Sequence, residues 1–158
     1  MTYKPLRLKG EDVEDLEILS ALLQDAVVFM GETAYVKSQL RFGLMLARFV
    51  WEDAEEKRGA RRRRQRIAEG GDYLRVRGAL HFDFVREVKS RGLSQQDKTA
   101  VLELLAISAE KQEDGQDRIV LSFAGGGEIA LMTDCIEAAY QDRSEPWATP
   151  AKPAHEAD

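Results

Sequence analysis

Leu74-Arg75-Val76-Arg77-Gly78-Ala79-Leu80-His81-Phe82-Asp83-Phe84 alternates in character along its whole length. Leu74, Val76, Gly78, Leu80, Phe82 and Phe84 fall on one side, and Tyr73, Arg75, Arg77, His81 and Asp83 on the other. A period of two is that of a strand with one face toward a core and one toward water, the habit of antiparallel sheets. Residues 40–51 upstream repeat the pattern. Leu40, Phe42, Leu44 and Leu46 mark one face there, and Arg41, Gly43, Met45 and Ala47 the other. The face changes character near Arg48-Phe49, where a bulge is expected. Downstream, Val85–Arg91 reads as a return strand. Ile119, Leu121 and Phe123 alternate, Gly125-Gly126-Gly127 turns, and Ile129 and Leu131 alternate again, which is a hairpin.

The remaining segments are read around this frame. Ala26–Met30 and Thr33–Lys37 flank Gly31-Glu32, a pair suited to a type II′ hairpin turn, and Lys37-Ser38-Gln39 turns the chain once more. Val101–Glu110 has good helix formers but lies between strand-like runs, so it is assigned as strand. Cys135–Tyr140 fits either a strand or a short helix. Helical spacing is clear only at residues 11–24. Val13, Leu16, Leu19 and Leu23 make a stripe there, widened by Ile18 and Leu22, with Glu11, Asp12, Glu14 and Asp15 crowding the first turn. The fold class that follows is mainly β (α+β): an antiparallel β-sandwich or partly open barrel of about eight strands with one N-terminal amphipathic helix. Residues 1–143 are expected to form one domain, with a mobile basic loop at 52–72. Residues 144–158, which hold Pro146, Pro150 and Pro153, form a flexible tail, with Trp147 pinning its start into an apolar groove.

Composition narrows the function classes. The chain has 158 residues, 44% hydrophobic and 32% charged, a globular mixture. Ala26–Met30 is its longest apolar run, whereas a membrane-spanning helix needs about 20 apolar residues. The N-terminal Met1–Gly10 lacks the apolar core of a signal peptide. A lone cysteine, Cys135, suits a reducing compartment, so the expected location is cytoplasmic. The net charge of −5 conceals a division along the chain. Residues 1–56 sum to −5 (6 basic, 11 acidic), 57–91 to +8 (12 basic, 4 acidic) and 92–158 to −8 (5 basic, 13 acidic). A basic centre between acidic flanks points to internal attraction, self-association or an anionic partner.

Two groups of residues stand out as candidate sites. Lys57–Arg66, with Arg61, Arg62, Arg63, Arg64 and Arg66 at its heart, carries seven positive charges and no acid. It could grip phosphates, but it contains no aromatic residue, and Glu52, Asp53, Glu55 and Glu56 precede it, so a solvated loop is the simpler reading. Arg75, Arg77 and His81 share one strand face and could meet a carboxylate or phosphate, with His81 titrating near neutrality. Gly125-Gly126-Gly127 lacks the Lys-Ser/Thr and the helix that follow a phosphate-binding loop. Cys135 has no basic neighbour in sequence and reads as a buried structural thiol. Asp134, Glu137 and Asp142 could hold a hard cation, though no ordered ligand pattern supports it. With only His81 and His155, no histidine metal cluster is expected. Trp51 and Trp147 are assigned to packing, and no cofactor and no catalytic residue are identified.

Several short motifs in order carry a resemblance. Leu23–Val28 (LQDAVV), Arg48–Ala54 (RFVWEDA), Arg75-Val76-Arg77 with Phe82-Asp83, Phe123–Gly127 (FAGGG), Cys135–Ala138 (CIEA) and Pro146-Trp147 resemble a family of small bacterial proteins, domain of unknown function 2948. The resemblance runs from Leu6 to Thr149. It brings no activity, cofactor or catalytic residue, so none is carried over. The Arg75/Arg77 strand belongs to the pattern and the arginine run does not.

The leading expectation is a non-catalytic binding or interaction module for a protein or a small anionic ligand. A protein partner or self-association is open, a membrane is not expected, and nucleic acid is disfavoured. The second reading is a nucleic-acid-associated protein using residues 57–66, and the third an enzyme with scattered acids as its site. An acid-lined cleft with raised pKa values would favour the enzyme, and an uncovered edge strand a protein partner. Replacing Lys57–Arg66 by a short Gly/Ser linker is expected to leave the melting temperature within a few degrees, because lengthening or shortening a loop changes closure entropy only slowly. Loss of cooperative unfolding in a thermal melt would contradict this.

Overall fold

The computed structural model describes residues 3–50, 72–93 and 97–150. Within them lie one helix and ten strands. In chain order these are β1 (Arg7–Gly10), α1 (Val13–Leu22), β2 (Val27–Val36), β3 (Arg41–Phe49), β4 (Asp72–Phe82) and β5 (Val85–Arg91). They continue with β6 (Val101–Lys111), β7 (Asp117–Phe123), β8 (Glu128–Thr133), β9 (Ala138–Asp142) and β10 (Trp147–Pro150). The strands form one open antiparallel sheet in the order β1-β9-β4-β3-β2-β6-β7-β8-β5, with β10 beside β4 next to the lane of β9. Side chains from both halves of the sheet and from α1 meet in a single apolar cluster, so the sheet curls over its own core. The mainly β, open antiparallel architecture with one early helix is the one the alternation predicts. Among the described residues no helix is long and apolar enough to cross a membrane.

The helix begins where its first turn is capped. Asp12 is extended, and its carboxylate accepts the Asp15 N–H at 2.8 Å, while the Asp15 carboxylate accepts the Glu11 N–H at 2.9 Å. This reciprocal arrangement satisfies donors that the helix leaves open. Leu16, Leu19 and Leu23 are buried, but Val13 is 44% and Ile18 60% exposed, so those two do not belong to the buried stripe. Ile18 lies about 200° round the helix from Leu16, which turns it to water. Ser20 Oγ accepts the Ile107 N–H at 2.9 Å, so α1 also satisfies an amide of β6.

Gly31-Glu32 is not a turn. β2 runs through it as one strand with a register shift between Val28 and Thr33. The strand has two partners: Val27–Val28 and Thr33–Val36 pair with β3, and Val27–Phe29 with β6. A Cβ on Gly31 would stand 2.6 Å from the Lys98 carbonyl oxygen, so close backbone approach, not turn geometry, requires glycine there. The real reversal is the 3-10 turn Lys37–Gln39, closed by Leu40 at φ 52°.

No bulge interrupts β3 and β4 at Arg48-Phe49, since pairing is continuous from Phe42↔Phe82 to Phe49↔Arg75. Arg48 instead continues the inward stripe of Phe42, Leu44 and Leu46. After Phe82 the chain bends from one half of the sheet into the other. Phe84, read above as inward, has φ 61° and is 45% exposed, because the corner turns it out. The Val85 N–H then bonds the Leu40 carbonyl at 2.8 Å. Val101–Lys111 is a strand, as assigned, since pairing with β2 and β7 overrides its helix propensity. The Cys135–Tyr140 ambiguity resolves to strand from Ala138 onward. The expected strands at 26–30 and 33–37 merge into β2, while β1, β9 and β10 are added, which gives ten strands in place of about eight. β10 pairs with β4, so the chain runs in the sheet from Trp147 to Pro150. Trp147 is exposed rather than lodged in an apolar groove; backbone pairing holds that segment.

At one end of the core sits a buried polar cluster. Asp142 accepts from Arg48 Nε at 2.9 Å and Nη2 at 2.8 Å, from the Tyr140 hydroxyl at 2.6 Å, from the Tyr3 hydroxyl at 2.7 Å and from the Leu6 N–H at 2.8 Å. Arg48 Nη1 donates to the Phe49 carbonyl at 3.0 Å, and both charged side chains are sealed from water. Gly78 makes the space, because a Cβ there would overlap the Tyr140 hydroxyl. Burial pushes the Asp142 carboxyl upward. The hydrogen bonds from Arg48, Tyr140, Leu6 and Tyr3 outweigh it, and the group ends below the ordinary carboxylate range.

Three outcomes are expected in urea or thermal unfolding. Asp142→Asn should destabilise by about 3–5 kcal/mol, since it strands a buried guanidinium, whereas Arg48→Met with Asp142→Leu should cost less than Asp142→Asn alone. Gly78→Ala should cost about 1–3 kcal/mol or more through overpacking against a ring that cannot move. A carboxyl lowered by folding stabilises fully above its unfolded value near ~4 and loses that contribution as pH falls through the folded value. Stability should therefore decline in acid from about pH 4 downward, and less steeply in the Arg48/Asp142 double variant. Equal acid slopes in the two proteins would remove Asp142 as the source.

Candidate functional site

The outward side of β4 presents Arg75, Arg77 and His81, each already engaged. The Arg75 guanidinium lies 4.1 Å from the Phe49 ring centre and donates to the Ala47 carbonyl at 2.8 Å. Arg77 lies 4.8 Å over the Phe29 ring and pairs with Glu32 at 2.5 Å. His81 Nε2 is 3.6 Å from Asp83, whose other oxygen accepts from Arg41 at 2.7 Å. Burial first, then the Arg41 charge, lowers the His81 pKa against the pull of Asp83 and Glu137. The imidazole is thus held toward its neutral form at pH 7.

Strand geometry separates the three. A rise of about 3.3 Å per residue puts Arg75 and Arg77 about 7 Å apart, but Arg77 and His81 about 13 Å. One small anion can meet the arginine end or the His81 end, not both.

Arg77 flanks a groove of about 250 Å³ whose walls include Phe29, Gly31, Glu32, Lys98 and Val101. The irregularity in β2 creates it. Where β2 leaves register with β3, the Met30 N–H bonds the Ala100 carbonyl at 3.1 Å, which carries residues 97–101 alongside. Asp97 holds that turn by accepting from the Thr99 hydroxyl at 2.7 Å and the Thr99 N–H at 3.0 Å. Those bonds also lower its pKa. Phe29 and Val101 are paired neighbours and so share one face; Val101 is 58% exposed. Lys98 is exposed and forms no ion pair with any described residue. The groove therefore offers two cations, one of them uncommitted, one acid already spent on Arg77, and two apolar side chains. Of these, sequence reasoning singled out only Arg77. Gly31 was the available signal, but a glycine beside an acid in an apolar run reads locally as a turn.

The other candidates fall elsewhere. Lys57–Arg66, with Arg61, Arg62, Arg63, Arg64 and Arg66, and Trp51 lie outside the described residues. Cys135 is exposed, not buried. Desolvation first, then Glu137, Asp134, Asp117 and Asp83, raise its pKa, which keeps it a thiol. Asp134 is bound by Arg86 through contacts of 2.7 and 2.9 Å, and Asp142 is consumed by Arg48, so the trio with Glu137 does not assemble. No group of three His, Cys, Asp or Glu among the described residues could hold a metal ion. Gly125 and Gly126, at φ +93° and +96°, form the β7–β8 hairpin turn.

No curated protein and no solved structure matches the chain. Residues 6–155, nearly its whole length, match the family described as protein of unknown function (DUF2948), and the chain belongs to that family.

Proposed function

We propose that this chain is a non-catalytic binding module of the bacterial cytoplasm, and that its contact surface is the groove beside Arg77. The ligand it suits carries a carboxylate next to an apolar group. One observation carries the reading: the uncommitted Lys98 ammonium stands beside exposed Val101 and the Phe29–Arg77 stack. Several other charged groups on the surface are paired, as in Arg41–Asp83, Arg86–Asp134 and Arg91–Glu128. Among the described residues, the carboxyl groups with altered acidity, Asp97, Asp134 and Asp142, are lowered. A carboxyl acting as general acid near neutrality needs the opposite shift, which favours binding over catalysis as the reading. The groove is smaller than the usual range of drug-sized sites, about 300–1,000 Å³, so it suits a small acid or one side chain of a larger partner. A lone cysteine supports the reducing compartment.

N-Acetylphenylalanine is a minimal probe, with one carboxylate and one ring. In ¹H–¹⁵N spectra it is expected to shift the amides of Phe29, Gly31 and Lys98–Val101, with a Kd on the order of 1 mM. Lys98→Glu should weaken binding at least fivefold. His81→Ala should leave it unchanged, since His81 is too far along β4 to share the ligand. Shifts centred on His81, or none in the groove at saturating probe, would overturn the proposal.

A further inference from the structure

The groove opens onto a length of strand edge that pairs with no other strand among the described residues. β6 accompanies β2 only along Val27–Phe29, and Met30 is held by Ala100. The chain then leaves, because the Ala100 N–H bonds the Asp97 carbonyl at 3.3 Å and Asp97 caps Thr99 in a tight turn. Beyond that point Thr33–Val36 remain extended and paired with β3 on one side. An antiparallel ladder turns the N–H and C=O of every second residue away from its partner. Among the described residues no other strand takes up those groups. Glu32, Ala34 and Val36 are exposed, and Ala34 is small enough for another backbone to come close.

The charges around this edge are positive on balance, Asp97 in the turn being the one acid beside Lys98 that pairs with no described cation. Glu32 is neutralised by Arg77, whereas Lys98 at the Gly31 end and Lys37 just past Val36 have no ion pair with a described residue. A local positive balance on a chain of net charge −5 favours an acidic occupant. A second copy fits less well. Antiparallel pairing of two β2 edges would bring Lys98 of each copy toward Lys37 of the other.

Resting on the reading of the groove as the contact surface, we propose that an extended peptide segment with acidic side chains adds to β2 as a further strand along Glu32–Val36. Its backbone pairs with the free edge, and a carboxylate reaches Lys98. Val101 and Phe29 receive the adjacent apolar side chain. Strand addition of this kind takes affinity from backbone bonds and selectivity from alternate side chains.

The test uses the full chain and the capped peptide acetyl-Val-Glu-Val-Glu-Val-amide. On binding, two alternating amides within Thr33–Val36 should gain protection from hydrogen exchange, alongside shifts at Lys98 and Val101. N-Methylating alternate peptide nitrogens should weaken binding about tenfold or more, the scale expected when several backbone hydrogen bonds are lost. Lys98→Glu should weaken the glutamate peptide and strengthen its lysine counterpart. Equal affinity of the N-methylated peptide, or binding without new protection in β2, overturns strand addition. So does a concentration-dependent dimer in light scattering that protects the same amides. If N-acetylphenylalanine still binds while the peptide fails, strand addition alone falls; if neither binds, the groove itself is lost as a site.

Discussion

The bidentate pair between Arg48 and Asp142 is the constraint around which one end of this fold is arranged. Two charges sealed from water are tolerated only when geometry and further hydrogen bonds compensate their desolvation. Here the compensation is drawn from four parts of the chain. Arg48 comes from β3, Asp142 and Tyr140 from β9, and Tyr3 and the Leu6 N–H from the segment leading into β1. Gly78 on β4 supplies the room. The cluster therefore ties the N-terminal segment to a strand more than 130 positions later, |i−j| being 139 for Tyr3 and Asp142. It places Asp142 at the end of β9 beside the segment that leads into β1, which pairs with β9. An apolar filling of the same space would give up that address, since Leu or Met at these sites could pack in more than one register.

The second organising feature is the divided partnership of β2. β2 pairs with β3 at both of its ends, but with β6 only along Val27–Phe29. Its register with β3 shifts between Val28 and Thr33, the stretch where β6 also leaves it. From that single irregularity follow the close approach of Gly31 to the Lys98 carbonyl, the groove over Phe29 and Val101, and the unpaired edge beyond Glu32. Structure and candidate function share a cause here. The place where β6 leaves β2 is also the place where backbone groups and the Lys98 ammonium have no partner among the described residues.

Much of the fold was legible because alternation is a local signal. Phe42–Leu46, Leu74–Phe82 and Ile119–Leu131 each disclose their inward face without knowledge of the partner strand, and the glycines at 125 and 126 disclose a turn. What failed was of another kind. Gly31 resembles a turn residue because the nearby chain lacks the information that Lys98 will come close. Phe84 fits an inward stripe until the corner at φ 61° rotates it outward. Arg48 resembles a break in pattern because an arginine on a core face makes sense only once Asp142, nearly a hundred residues away, is beside it. In each case the deciding contact is long-range.

The candidate site shows the same division in sharper form. Arg75, Arg77 and His81 share a face by period alone, and that much holds. Period says nothing about what else stands on the face, and the neighbours decide the chemistry. Phe49 and Ala47 occupy Arg75, Arg41 and Asp83 hold His81 toward neutrality, and Glu32 takes the charge of Arg77. Lys98, which has no ion pair with a described residue, sits in a segment with no period at all, and the pairing of Phe29 with Val101 and the bond from Met30 to Ala100 bring it alongside Arg77. A search by charge density leads to Lys57–Arg66; a search by unspent charge beside unspent backbone leads to Lys98 and the edge of β2. The second criterion is the better guide to recognition. A cation already paired must give up its partner before it can bind another, whereas an unpaired one beside an apolar surface gains on contact.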